Sequence, residues 1–102
     1  MKIAIAATDN NDRSPVDGHF GRCNWFCIVD KETGKVEYIV NSARDNRHDA
    51  GSACAEFLLQ LNIDIVVAGC FGSKVAQLFR SKRVQMIVPD KMFFISDIIK
   101  KL

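Results

Sequence analysis

The stretch Ile63–Val88, IDIVVAGCFGSKVAQLFRSKRVQMIV, decides the fold. Its opening IDIVVAG, Ile63 to Gly69, is a continuous run of mostly β-branched side chains, the pattern of a strand covered on both faces. SKVAQLFRSK then spaces Val75, Leu78 and Phe79 along one face of a helix, and VQMIV, Val84 to Val88, returns to the strand signal. Strand, helix and strand in succession predict two parallel strands joined by a right-handed crossover. Upstream, AGSACAEFLLQLN places Ala50, Ala53, Cys54, Phe57, Leu58 and Leu61 at helical spacing. Downstream, Pro89-Asp90 opens a last helix, KMFFISDIIKKL, whose terminal lysines suit a helix carboxyl end.

The amino-terminal half has a different rhythm. KIAIAA, Lys2 to Ala7, is a short apolar run that stops at the turn-forming TDNNDRSP, so it predicts a buried first strand. NWFCIVD, Asn24 to Asp30, is apolar on both faces, and KETG turns it into VEYIVN, Val36 to Asn41, through a hairpin-length connection. Three strands joined this way form an antiparallel meander. The expectation is therefore an α/β fold of element order βββαβαβα, with a mixed sheet and helices on both faces. If the first strand lies beside Ile63–Ala68, strands one, three and four point the same way. Residues 8–22, 41–50 and 69–73 then leave their carboxyl ends along one edge, where open α/β sheets bind ligands.

Composition narrows the function classes. A chain of 102 residues predicts one domain over residues 1–102, and 48% hydrophobic with 25% charged residues is ordinary for a globular protein. The net charge of +2, with no basic run longer than Lys100-Lys101, argues against an extended nucleic-acid footprint. No segment approaches the ~18 apolar residues of a membrane span. The amino terminus lacks the apolar core of a signal peptide, so the expected location is cytoplasmic. There the four cysteines are expected to be reduced, each either a small hydrophobe or a ligand. Cys23 and Cys27 form only a CxxxC, which matches no zinc spacing.

The predicted edge gathers the chemically unusual residues. The first loop brings Asp17, His19, Arg22 and Cys23; the second Asn41, Arg44, Arg47 and His48; the third Gly69, Cys70, Gly72 and Ser73. Imidazole and thiolate suit iron, copper or zinc, while guanidinium groups neutralise an anionic cluster. Helix amino termini near Gly51 and Gly72 add backbone N–H groups that favour anions. The combination points to an anionic, metal-containing ligand. Plainer readings stand beside it. Arg44, Arg47 and His48 read equally as solvated surface residues, and Cys27 and Cys54 lie in apolar patterns and read as core. Cys23 and Cys70 stand between ligand and structural roles, and Gly69 and Gly72 either turn a strand into a helix or admit a bulky ligand.

Several of these features occur together in one family. VDGHFGRCNWFCIVD, the short hairpin after it, Asn41 at its end, the Ala50-Gly51 helix start and VVAGCFGSKVAQLF resemble the dinitrogenase iron-molybdenum cofactor biosynthesis family. That family includes the NifX and NafY carriers, the carboxyl-terminal domain of NifB and the orange protein type. The resemblance covers essentially the whole chain, and His19-Phe20-Gly21 is its most specific element. It implies a ribonuclease-H-like fold and the binding or passage of a metal cluster in cofactor assembly, with no catalysed reaction. The cargo would be an iron-sulfur or iron-molybdenum cluster, or a molybdenum-copper cluster, or a precursor of one. The partner would be a cofactor-assembly or nitrogenase-like protein, and this chain a monomer or weak dimer.

The candidate cofactor-binding residues are His19, Phe20, Gly21, Arg22, Arg44, Arg47, His48, Gly69 and Gly72, with His19, Cys23 and Cys70 as candidate metal ligands. Two other function classes compete. One is a regulatory or interaction module with an empty site. The other is a metal-dependent hydrolase of the ribonuclease-H-like class, drawing on the loop carboxylates Asp9, Asp12, Asp17, Asp45 and Asp49.

Overall fold

A computed structural model describes residues 1–45 and 49–102. Five strands, β1 (Lys2–Ala7), β2 (Trp25–Asp30), β3 (Val36–Val40), β4 (Ile65–Val67) and β5 (Gln85–Ile87), form one sheet in the order β3-β2-β1-β4-β5. Three helices accompany them: α1 (Ala50–Gln60), α2 (Ser73–Ser81) and α3 (Ile95–Lys101). The pairs β1–β2 and β2–β3 are antiparallel, whereas β1–β4 and β4–β5 are parallel. The sheet is mixed because hairpins build one half and helical crossovers the other.

Alternation along β1 sorts its side chains between two cores. Ala4 and Ala6 face α1 and α2, together with Phe26 and Ile28 of β2 and Val66 of β4, against Cys54, Leu58, Val75 and Phe79. Ile3, Ile5 and Ala7 face α3, with Cys27, Val29, Ile65 and Val67, against Ile95 and Ile98. Helices therefore cover both faces, two on one and one on the other. No described helix is long and apolar enough to cross a membrane.

The third helix departs from its expected start. Residues 91–94 stay outside the helix, and the loop after β1 holds part of their backbone: Val16 N–H donates to the Phe93 carbonyl at 2.9 Å, and Pro15 bridges to Phe94. Helix α3 begins only at Ile95, where Asp97 accepts the Phe94 N–H at 3.0 Å. The fourth strand is likewise shorter than its apolar run, since Ile63 and Ala68 are buried outside the ladder.

Helices α1 and α2 end alike. Asn62 N–H donates to the Leu59 carbonyl and Ile63 N–H to Leu58; Arg83 N–H donates to Arg80 and Val84 N–H to Phe79. Both are Schellman closures, with the apolar residue after the turn packed in the same core as the helix it ends. The left-handed position, glycine in most proteins, is Asn62 at φ 60 and Arg83 at φ 60. A Cβ in that conformation is strained, and arginine lacks the local bonding that lets asparagine tolerate it. Arg83→Gly should therefore stabilise the protein by about 0.5–1 kcal/mol, and Asn62→Gly by less. Thermal melts of both variants beside wild type test the ranking, and a lower Tm for Arg83→Gly would contradict it.

Candidate functional site

The site forms where loops leave the carboxyl ends of β1, β3 and β4. Its keystone is a 3-10 turn, Phe20–Arg22. Phe20 points inward and is fully packed, its ring 5.6 Å from Phe26, 5.4 Å from Phe71 and 5.4 Å from Phe79. With that ring as anchor, the neighbouring side chains His19 and Arg22 face outward and are exposed. Its backbone is tied as well, because Phe20 N–H donates to the Cys70 carbonyl at 3.2 Å.

Two glycine contacts press the first loop onto its neighbours. A Cβ on Gly21 would lie 2.9 Å from both Cα and N of Gly51, at the start of α1. One on Gly69 would lie 2.7 Å from Cα of Gly18. Backbone meets backbone at both places, so only hydrogen fits. Gly51 repeats the constraint one layer on, where a Cβ would meet Val75 of α2 at 2.8 Å.

These contacts leave a cleft of about 380 Å³ whose lining includes His19, Arg22, Asp49, Gly51, Cys70 and Gly72. It combines an imidazole, a guanidinium and a thiol with the amino ends of α1 and α2, where the helix dipole favours negative charge. Asp49 brings the opposite charge to the rim. Hydrogen bonding to Ser52, helped by the Lys74 ammonium 3.5 Å away, holds its carboxyl below the usual carboxylate range.

The expected site residues divide. His19, Phe20, Gly21, Arg22, Cys70 and Gly72 come together at the cleft. Phe20 contributes to it mainly as the buried anchor beneath. Gly69 does not line this cleft; it spaces the first loop and borders a neighbouring hollow with Gly18, Met92 and Phe93. Arg44 contributes a carbonyl in place of its guanidinium, accepting the Arg22 Nη1–H at 2.7 Å. Arg47 and His48 lie outside the described residues.

Cys23, expected as a metal ligand, is fully buried in the core, its thiol donating to the Phe20 carbonyl at 3.3 Å. Burial, with the Asp17 charge adding to it, pushes that thiol up to about 12. The reason for the difference is direction: the 3-10 turn rotates the chain so that Arg22 faces out and Cys23 in. Cys27 and Cys54 are core residues, as their apolar settings predict.

Sequence reasoning undervalued Asn41, which is almost wholly buried yet bonded through every polar atom of its side chain. The signal available was an asparagine closing a strand, an arrangement that favours turns built on its side chain.

A family model described as dinitrogenase iron-molybdenum cofactor matches residues 1–102. An uncharacterised protein of Methanocaldococcus jannaschii is 36% identical over 83 residues, spanning 78% of this chain and 67% of that one. Among solved structures, the apo orange protein of Desulfovibrio gigas superposes with a TM-score of 0.89 at 24% identity, covering 98% of this chain and 84% of that chain. A NifB-like Thermotoga protein gives 0.83 at 21%, covering 97% and 84%. These two likenesses, at low identity, concern the fold. The family match defines a cofactor-associated class of small mixed-sheet α/β proteins. This chain belongs to the dinitrogenase iron-molybdenum cofactor family.

Two predictions follow the site's packing. Gly21→Ala drives a methyl into the backbone of α1 and should destabilise the protein by about 1–3 kcal/mol, read as a lower denaturation midpoint. A neutral result would mean that the turn and α1 can separate without cost. The buried thiols make the second. Cys23, Cys27 and Cys54 are all raised from their ordinary 9.0, chiefly by desolvation, Cys27 to about 11. Raised folded values favour the protonated thiols, so this stabilisation is complete below about pH 9 and is lost as pH climbs through the raised values. Each thiol contributes a slope of about 1.4 kcal/mol per pH unit in that window. Urea unfolding on either side of pH 9, compared with Cys54→Ala, checks it; equal slopes in the two proteins would contradict it.

Proposed function

We propose that this protein binds an anionic metal cluster, or its precursor, at the His19–Arg22–Cys70 cleft and carries it during cofactor assembly without catalysing a reaction. The observation that carries the reading is the lining of that cleft: one imidazole, one thiol and one guanidinium beside two helix amino ends, with the Asp49 carboxylate at the rim paired to Lys74. Imidazole and thiolate are donors for iron, copper and sulfide-bound molybdenum, and Arg22 offsets the charge of a sulfide-bridged cluster. Such a cluster brings its own bridging sulfides and needs few protein ligands. A bare divalent ion needs three or four. Among the described residues no three His, Cys, Asp or Glu side chains gather as a metal-holding group, which favours the cluster over the ion.

The family match supports the same reading, with an iron-sulfur, iron-molybdenum or molybdenum-copper cluster as cargo and a cofactor-assembly or nitrogenase-like protein as recipient. The fold is read here as ribonuclease-H-like, with residues 1–102 as one domain. The hydrolase alternative asks for converging carboxylates. Asp49 is instead paired with Lys74, and among the described residues the acidic side chains form no such group.

Anaerobic reconstitution with iron, sulfide and tetrathiomolybdate tests the carrier reading. Wild type should retain a coloured, metal-containing species through gel filtration. His19→Ala and Cys70→Ser should each weaken retention by about tenfold or more while melting like wild type. Both side chains are exposed and carry little of the core. Metal retention at background in wild type would favour the regulatory module with an empty site.

A further inference from the structure

Asn41 sits at the end of β3, below the cleft, and only 3% of it is exposed. Its amide reaches two structures at once. Nδ2 donates to the Cys23 carbonyl at 2.9 Å and to the Gly21 carbonyl at 3.4 Å, holding the turn that carries His19 and Arg22. Oδ1 accepts from Ala43 N–H at 3.1 Å and from the Cys54 thiol at 3.4 Å, and the Asn41 backbone carbonyl accepts the Arg44 N–H at 3.3 Å. These bonds shape the loop whose Arg44 carbonyl receives the Arg22 guanidinium at 2.7 Å. One residue therefore sets both ends of the Arg22 hydrogen bond: the turn that supplies the donor and the loop that supplies the acceptor.

We propose that Asn41 is the positioning residue of the cleft, fixing the Arg22 guanidinium at its mouth through this two-sided network. The role rests on the carrier reading and adds how the site keeps its cation in place. An arginine side chain has many rotamers, and an exposed one spreads its charge over a wide volume unless an acceptor holds it. Held at the mouth, Arg22 raises the local positive potential that an incoming anion meets, and such steering weakens with salt. Without the amide, the carbonyls of Gly21 and Cys23 lose their donor and the loop at Ala43 loses its acceptor. Arg22 then keeps its charge and loses its place. On the core side Asn41 bonds to the thiols of Cys23 and Cys54, and a weakly bonding thiol cannot substitute for an amide.

The test is the association rate of tetrathiomolybdate, a sulfide-bearing dianion, followed by stopped-flow absorbance at several salt concentrations. Wild type, Arg22→Gln, Asn41→Ala and the double variant are compared, with Ile98→Ala as a control on the far face of the sheet. Asn41→Ser is run beside Asn41→Ala, so that a milder change is in hand if the alanine variant folds poorly. Arg22→Gln should slow association by about threefold to tenfold at low salt and flatten the salt dependence. The Asn41 variants should reproduce both effects, and the double variant should be no slower than either single one. Ile98→Ala, destabilised by packing loss alone, should keep the wild-type rate and slope.

Wild-type salt dependence in the Asn41 variants, or effects that multiply in the double variant, would overturn the positioning role while leaving the carrier reading intact. An equal flattening in Ile98→Ala would overturn the role as well, because lost stability alone would then account for the effect. Absence of saturable uptake by wild type would overturn the carrier reading itself, and this role with it.

Discussion

The burial of one phenyl ring holds the site together. Phe20 lies among Phe26, Phe71 and Phe79, and its neighbours in sequence have no freedom once it is there. A short turn with an inward residue at its start must send the flanking side chains elsewhere, which is why His19 and Arg22 face solvent and Cys23 does not. Removing that ring from water is worth a few kcal/mol, comparable to the margin of a small domain. The same burial thus stabilises the core and aims the residues at the cleft. The glycine contacts are its complement. Gly21 against Gly51, and Gly69 against Gly18, let the first loop approach the start of α1 and the loop after β4 to backbone distance. Any side chain there would open the cleft from within.

Polar groups carried inward by this packing are matched with little to spare. Asn41 is one of two polar residues buried among the described residues, the other being Ser14. Both close loops that leave the same edge of the sheet, Ser14 by donating to the Asn11 carbonyl at 2.6 Å. Among the described residues no buried side-chain polar atom is left without a partner. A ligand edge made of loops needs such internal ties, since loop backbone lacks the ladder that satisfies strands. The buried thiols fit this economy: they fill volume, donate weakly, and stay protonated because their surroundings cannot solvate a thiolate.

Beside the cleft, the 88–94 segment leaves Met92 and Phe94 exposed, with Lys91 and Lys101 both near the Phe93 ring, at 5.4 and 4.8 Å. The segment meets the first loop through the Val16–Phe93 bond and the Pro15–Phe94 bridge. Four strands, not three, therefore send their loops to this edge. The strand itself is legible, but the segment after it is not, because Met92, Phe93 and Phe94 fit a helical pattern as well as an extended one, and periodicity cannot separate the two over so short a run.

The parallel placement of β1 beside β4 came from the tertiary structure, whereas the sequence by itself determined the succession of elements and the mixed character of the sheet. Those two follow from local patterns: β-branched runs, helical spacing, and the difference between a hairpin loop and a crossover. The sequence also singled out His19, Arg22 and Cys70, and once β1 lies beside β4 strand direction puts their loops at one edge. Tertiary structure alone decided which atoms of those loops face the cleft. Cys23 and Arg22 are adjacent in the chain and both candidates for the site on paper, one as a metal ligand and the other as a cation, yet a 3-10 turn anchored by Phe20 separates them into core and solvent. Arg44 reads as a cation but offers its carbonyl, and Asn41 reads as a turn residue but joins two loops. Side-chain direction and long-range hydrogen bonding depend on what packs beneath a loop, and no spacing along the chain encodes that.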